Sequence, residues 1–121
     1  MIGYGLAWVI AAMLLGIGVA AGLAPRATAW GFGMRANDAA AQLYVRATGS
    51  RDFILGCILI LQIYHGATRI LAWSLALGAL IAAADLAVVL FTPGTRRSAG
   101  VIHGGSVLLL LIAAVCVATH R

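Results

Sequence analysis

The stretch ILAWSLALGALIAAADLAVVLF, residues 70–91, decides the fold, because its 22 consecutive residues carry a single charge, Asp85. A helix rises 1.5 Å per residue, so about 20 apolar residues cross a hydrocarbon core of about 30 Å. Two further stretches, about 4–24 and about 101–119, have the same length and character. The sequence therefore predicts three transmembrane helices at these positions.

A second span in chain order is predicted at about 48–66. Its apolar centre, Phe53 to Tyr64, is too short to cross alone, so the span must include Arg51 and Asp52 at the edge of the hydrocarbon. Before it, Asn37 is a candidate N-cap for a short interfacial helix over about 37–48. The predicted fold is all-α: one transmembrane domain, residues 1–121, forming an integral membrane four-helix bundle with a short interfacial helix between helices 1 and 2.

Composition supports a membrane location. Hydrophobic residues make up 64% of the chain and charged residues 9%, against about half and about a quarter in soluble domains. The net charge of +5 comes from very few charges, so we expect the lipid bilayer, and not nucleic acid, as the partner. Most arginines fall on one side of the predicted bundle, namely Arg26, Arg35, Arg46, Arg51, Arg96 and Arg97. The positive-inside rule then predicts a multi-pass protein of the cell inner membrane, with loops 25–50 and 92–100 cytoplasmic and both termini outside.

Two stripes of small residues predict helix contacts, because transmembrane helices pack closely through small side chains. The first stripe is on helix 1: Ala12, Gly16 and Ala20, with Gly18 and Gly22 on another face of the same helix. The second is on the third span: Ser74, Gly78, Ala82 and Asp85. An aspartate facing lipid is costly, so the second stripe is expected to face the bundle interior.

The ionisable residues of the predicted spans fall at one depth. Asp85 lies six residues before Phe91, about 9 Å from the cytoplasmic end of its helix. Arg51, Asp52 and His103 are predicted at the same end of their helices. The exit of the first helix, Gly22 to Pro25, is expected to form a fourth wall around them. Because neighbouring residues on a helix point about 100° apart, Arg51 and Asp52 are predicted to pair poorly with each other, which leaves Arg51 free for Asp85. A purely structural layer, with Asp52 at a helix N-terminus and Arg51 reaching lipid phosphates, stays open.

This layer also suits acid–base chemistry. Asp85, His103 and Asp52 are the candidate catalytic residues. Candidate substrate-binding residues are Arg51, Gln62 and Ser106, of which Arg51 suits an oxyanion. His103 is expected at a helix N-terminus, which favours the neutral imidazole as a base. No nucleotide-binding loop and no metal-ligand pair at helical spacing occurs in the sequence, so we expect no cofactor and no metal. The different depths of Cys57 and Cys116 argue against a disulfide.

Several motifs resemble a family of small four-helix integral membrane proteins, with bacterial and fungal members, known as a domain of unknown function. They are Ala24-Pro25, Trp30 to Gly33, the Gly-x-Arg-Asp-x-x-x-Gly signature at Gly49 to Gly56, Asp85, and His103-Gly104-Gly105. The resemblance implies the four-helix architecture and the importance of Arg51, Asp52, Asp85 and His103. It implies no activity.

We predict a cytoplasmic-side polar pocket that binds a lipophilic small molecule, with acid–base isomerase or cyclase chemistry as the catalytic form. A non-catalytic accessory subunit of a larger membrane complex, or a homo-oligomer, is the first alternative. A proton-coupled small transporter is the second. Small multidrug exporters share the length but use an acid in the first span, and residues 1–24 contain none.

Overall fold

The computed structural model describes residues 1–92 and 97–119, without the side chain of Arg97. Over these residues all regular structure is helical. The helices are α1 (Ile2–Leu23), α2 (Pro25–Thr28), α3 (Ala39–Tyr64), α4 (Thr68–Phe91) and α5 (Arg97–Ala118). By length and composition, α1, α4 and the Ser98–Ala118 part of α5 are able to cross a membrane. The predicted all-α class is thus confirmed, and three of the four predicted spans meet the requirement for crossing.

The first packed pair consists of α1 and α3, which run antiparallel. A Cβ atom placed on Gly18 would lie 2.7 Å from the carbonyl oxygen of Gly49, and one on Gly56 would lie 3.0 Å from that of Ala11. Only glycine permits two backbones to approach so closely. Ala21 closes the same contact, since it is fully buried against Gly49.

Of the two small-residue faces predicted on helix 1, the one with Gly18 forms the contact with α3, and the one with Ala12, Gly16 and Ala20 does not. Ala12, Gly16 and Ala20 are exposed in the isolated chain, and no atom lies within 4 Å of a Cβ added at Gly16. The contact face is a neighbouring one that includes Ala11 and Gly18. Both faces carry small residues at helical spacing, so composition alone does not distinguish them.

The second packed pair consists of α4 and α5, and the two pairs meet at the end of the bundle that holds the N-terminus. There, a Cβ on Gly3 would contact the backbone of Cys116 and Val117. One apolar core fills this end: Ala7, Ile10, Ala11, Leu59, Leu71, Leu75, Ala113, Ala114 and Val117. A smaller cluster at the other end joins only α1, α3 and the segment between them: Ala21, Ala29, Ala36 and Val45. The two pairs are therefore packed together at one end and separated towards the other.

The predicted interfacial helix over 37–48 and the predicted span over 48–66 form one continuous helix, α3. Gly49 does not interrupt it, because its missing side chain is used for the contact with α1. The helix begins one residue later than predicted. Asp38, and not Asn37, is the N-cap, and its Oδ1 accepts a hydrogen bond of 2.8 Å from the Ala41 N–H.

A short helix does follow α1, but it is α2, not the segment 37–48. Pro25 is its first residue, where the missing N–H costs no hydrogen bond. Two predicted boundaries differ from the structure. Residues 39–50, predicted within the cytoplasmic connection over 25–50, belong to α3. Helix α5 starts four residues before the predicted 101. Residues 93–96 of the predicted loop over 92–100, among them Arg96, lie outside the described residues, as do residues 120–121.

Candidate functional site

An arginine bridges two carboxylates between α3 and α4. The Nη2 atom of Arg51 donates hydrogen bonds of 3.0 Å to Asp52 Oδ1 and 3.0 Å to Asp85 Oδ2, and its Nε donates one of 3.1 Å to Asp52 Oδ1. The predicted approach of Arg51 to Asp85 is therefore present. Asp52 is buried at 7% exposure, whereas the side chains of Arg51 and Asp85 are 38% and 29% exposed.

The expectation that Arg51 and Asp52 would pair poorly was wrong. Their Cβ atoms do point about 100° apart on α3, but the arginine stem is long enough to return its guanidinium to the next side chain. The pairing is favoured because Asp52 faces the protein interior, where an unpaired carboxylate is expensive. Arg51 thus satisfies the buried acid of its own helix and the acid of the facing helix together.

The three side chains do not balance in charge. Two carboxylates and one guanidinium sum to −1 when both acids are ionised. The hydrogen bonds of Arg51 to these acids use only Nε and Nη2. The Nη1 amino group takes no part in them, which leaves two N–H donors for another acceptor.

The bridge forms part of the wall of a cavity of about 420 Å³. The cavity lies where the two helix pairs separate, and α1, α3, α4 and α5 all contribute to it. Its wall is mainly aliphatic, including Leu14, Leu55, Leu77, Ile81 and Leu110. A few polar side chains therefore face a largely apolar space, which is the usual composition of a small-molecule site.

The predicted stripe on the third span lies along this cavity. Ser74, Gly78, Ala82 and Asp85 all line it, as expected for four residues on one face of α4. Eleven residues separate Ser74 from Asp85, which corresponds to about 16 Å along the helix axis. The cavity is thus elongated, with a hydroxyl near one end and the charged bridge near the other.

His103 and Ser106 line the cavity from α5. His103 does not begin its helix as expected, because α5 starts at Arg97. The positive end of a helix dipole affects only side chains in the first turn, so it does not act on His103. His103 is six residues from the start of α5, as Asp85 is from the end of α4, so both lie about 9 Å from these helix ends. The Ser106 hydroxyl donates to the Ile102 carbonyl at 3.0 Å.

Gln62 does not line the cavity. Its Nε2 donates a hydrogen bond of 2.9 Å to Ser74 Oγ, so it touches the cavity only through that serine. The Oε1 atom of Gln62 is buried and has no hydrogen-bond partner in the described part of the chain. Ser74 is therefore the residue that presents a polar atom to the cavity at this level.

Sequence reasoning missed one wall. The exit of helix 1, Gly22 to Pro25, was expected there, but Thr28, Gly31 and Phe32 line the cavity instead. A positive φ at Gly33, 77°, helps the chain turn back after α2. The aromatic residue between two glycines was the available signal, since it places an apolar side chain on a turn.

The described residues do not bring a set of metal-ligating side chains together. Across 1–92 and 97–119, His, Cys, Asp and Glu form no group of three that is able to hold an ion. Cys57 and Cys116 are both free thiols. What the arrangement offers is a guanidinium, two carboxylates, an imidazole and hydroxyls, that is, hydrogen bonding and proton transfer.

The long apolar helices and the internal charged cavity define the class: a small, all-helical, multi-pass membrane protein. The model of the family Domain of unknown function (DUF4267) matches residues 11–117, and the chain belongs to this family. The matched segment contains every residue of the bridge, and the predicted family resemblance is confirmed. No curated protein and no solved structure matches the chain.

Proposed function

We propose that this protein binds a lipophilic small molecule in the cavity between its two helix pairs. The observation that carries the proposal is a mainly aliphatic space of about 420 Å³ with the Arg51 bridge in its wall. Small-molecule sites typically measure about 300–1,000 Å³ and hold a few placed polar groups in an apolar lining. Such a site inside a membrane domain is accessible to molecules that partition into lipid.

The shape and polarity of the cavity favour an elongated amphiphile. A carbonyl, hydroxyl or carboxylate oxygen at one end accepts from Arg51 Nη1, beside Asp85 and His103. The chain of the molecule lies along Leu77, Gly78 and Ile81. The Ser74 hydroxyl, which accepts from Gln62, keeps its own hydrogen to donate at the other end.

The catalytic form of the proposal is proton transfer, as in an isomerisation or cyclisation. Asp85 and His103 face one cavity from opposite helices of a pair, so one is able to take a proton from the bound molecule while the other returns one. Arg51 stabilises the negative charge that develops on the ligand oxygen. Asp52, buried and bonded to Arg51, holds the guanidinium in place.

We also propose that α3 is the fourth transmembrane helix. It packs along α1 from Gly18 opposite Gly49 to Ala11 opposite Gly56, so it crosses wherever α1 crosses. Its charges are accommodated because Arg51 and Asp52 face the bridge and not lipid. The orientation with both termini outside the inner membrane follows from the excess of arginines at the opposite end of the bundle.

The test is co-purification. The protein is extracted in mild detergent, and bound lipophiles are identified by mass spectrometry after organic extraction. Asp85→Asn and His103→Ala are expected to lose the bound molecule or to accumulate it unconverted. Asp38→Asn and His65→Ala are matched controls outside the cavity, and Asn caps a helix as well as Asp does. Equal retention and identical products in all variants would refute the proposal.

A steric variant tests the same site without changing any charge. Gly78→Leu points a side chain into the cavity, since a Cβ there meets only Leu110, at 3.5 Å. Gly16→Leu makes the same chemical change on an exposed face of α1 with no atom nearby. We expect Gly78→Leu to exclude the ligand and Gly16→Leu to retain it.

One observation favours the alternative, a subunit that assembles with copies of itself or with other chains. The stripe of Ala12, Gly16 and Ala20 is exposed in the described part of the chain, although small residues at this spacing suit helix packing. If assembly is the function, Gly16→Leu dissociates a cross-linkable complex while leaving ligand retention unchanged. The same pair of variants therefore separates the two functions.

A further inference from the structure

A second cavity lies at the end of the bundle where α1 leaves the predicted membrane core. It measures about 390 Å³ and is lined by Arg26, Trp30, Arg35, Ala36 and Asn37. No carboxylate is among these residues. Two arginines therefore line one space that has no acid in its lining, whereas Arg51 is bound to two carboxylates, those of Asp52 and Asp85.

The two arginines are available for a ligand. Within residues 1–92 and 97–119, neither Arg26 nor Arg35 forms an ion pair. The nearest acid in sequence, Asp38, is not among the lining residues, and its Oδ1 accepts the N-cap hydrogen bond of α3. Arg35 is held in place by the ring of Trp30, with its Cζ 5.8 Å from the ring centroid.

The position of this cavity indicates which anionic group is within reach of the two arginines. Arg26 is three residues beyond Leu23, the last residue of the membrane-capable helix α1. Trp30 is 42% exposed beside it, and tryptophan is enriched at the level of lipid headgroups. A cationic, aromatic cavity at this level matches the phosphate of a phospholipid.

We infer that Arg26 and Arg35 form a binding site for a phosphate group, supplied by the headgroup of an anionic phospholipid. Each guanidinium donates paired hydrogen bonds to phosphate oxygens, and the two positive charges offset the negative charge of the lipid. The Asn37 side chain adds a donor at the edge of the same cavity. This site is separate from the cavity of the Arg51 bridge and does not depend on its function.

The experiment has two arms. In the first, the full chain in nanodiscs of phosphatidylcholine mixed with phosphatidylglycerol is released into the gas phase, and the lipids that stay bound are counted by native mass spectrometry. In the second, the chain in neutral detergent is titrated with inorganic phosphate by calorimetry. Arg26→Gln, Arg35→Gln and the double variant are compared with Arg69→Gln, which removes one exposed positive charge at the opposite end of the bundle.

We expect each single variant to lower phosphatidylglycerol retention about fivefold and the double variant about 25-fold, while Arg69→Gln changes it less than twofold. Phosphate binding in detergent that is lost in the same variants supports the site with a soluble phosphate as its ligand. Retention and titration that are equal in wild type, Arg69→Gln and the double variant overturn the inference. An unfolding free energy of the double variant equal to that of Arg69→Gln, measured by circular dichroism in detergent, verifies that the double variant is folded.

Discussion

The ion pair between Arg51 and Asp85 predicts a specific coupling between α3 and α4. These helices pack mainly against their own partners, α1 and α5, so the bridge is an important tie across the cavity. Arg51→Ala removes the hydrogen bonds to Asp85 and to the buried Asp52. Asp85→Asn removes one charge but keeps an oxygen that accepts from Arg51 Nη2.

The expected losses of unfolding free energy follow from how deeply the bridge is buried. Truncating one partner of a buried ion pair costs about 3–5 kcal/mol, and the partial exposure of Arg51 and Asp85 favours the lower end, about 3 kcal/mol. Asp85→Asn exchanges a charged hydrogen bond for a neutral one, a loss of about 1 kcal/mol. In the double variant position 85 carries no charge, so Asp52 is the one carboxylate of the bridge left without its arginine. The expected loss of unfolding free energy is therefore about 3 kcal/mol and not about 4 kcal/mol, the sum of the two single losses.

The assay is equilibrium unfolding in mixed micelles of mild detergent and dodecyl sulfate, followed by circular dichroism and tryptophan fluorescence. The wild type, both single variants and the double variant form a double-mutant cycle. Asp38→Asn, which keeps the helix cap, is the control and should change the unfolding free energy by less than about 0.5 kcal/mol. Additive single effects, within about 0.3–0.5 kcal/mol, would refute the bridge as a coupling element.

Two further predictions concern packing and buried polarity. Gly49→Ala should destabilise the protein by about 1–3 kcal/mol in the same unfolding assay, because the added methyl overlaps Ala21, whereas Gly16→Ala should be neutral or slightly stabilising. Equal effects of the two would contradict the α1–α3 contact. Gln62→Leu should change the unfolding free energy by less than about 1 kcal/mol, because it removes a buried unpaired oxygen together with one hydrogen bond. Ser74→Ala should cost about 1–3 kcal/mol, because it leaves the Gln62 Nε2 amino group without its acceptor. A larger loss in Gln62→Leu than in Ser74→Ala would contradict this assignment.

Much of the helical framework was predictable because membrane crossing imposes a simple length requirement. The predicted span over 70–91 and α4, Thr68–Phe91, differ by two residues at one end. The continuity of α3 was not predictable, because Gly49 and Ser50 ordinarily weaken a helix. Packing against Ala21 compensates for the glycine, and that contact exists only in the folded chain.

The candidate site divides in the same way. That Asp85 and His103 lie towards the same end of the bundle follows from counting residues to the predicted helix ends. Their equal depth of about 9 Å does not, because it depends on the start of α5 at Arg97, four residues before the predicted 101. The pairing of Arg51 with Asp52 does not, because the rotation between neighbouring residues fixes the direction of Cβ but not the path of a long side chain. The displacement of Gln62 from the cavity by Ser74 depends equally on side-chain packing.

Sequence alone determined that the chain is helical, belongs in a membrane and has very few charges within its apolar segments, since hydrophobicity and length are properties of each segment by itself. Tertiary structure decided which face of α1 is buried, which acids share Arg51, and that the helix pairs separate to leave a cavity at one end. The reason is that these features depend on the fit between two surfaces, and each surface separately offered more than one solution.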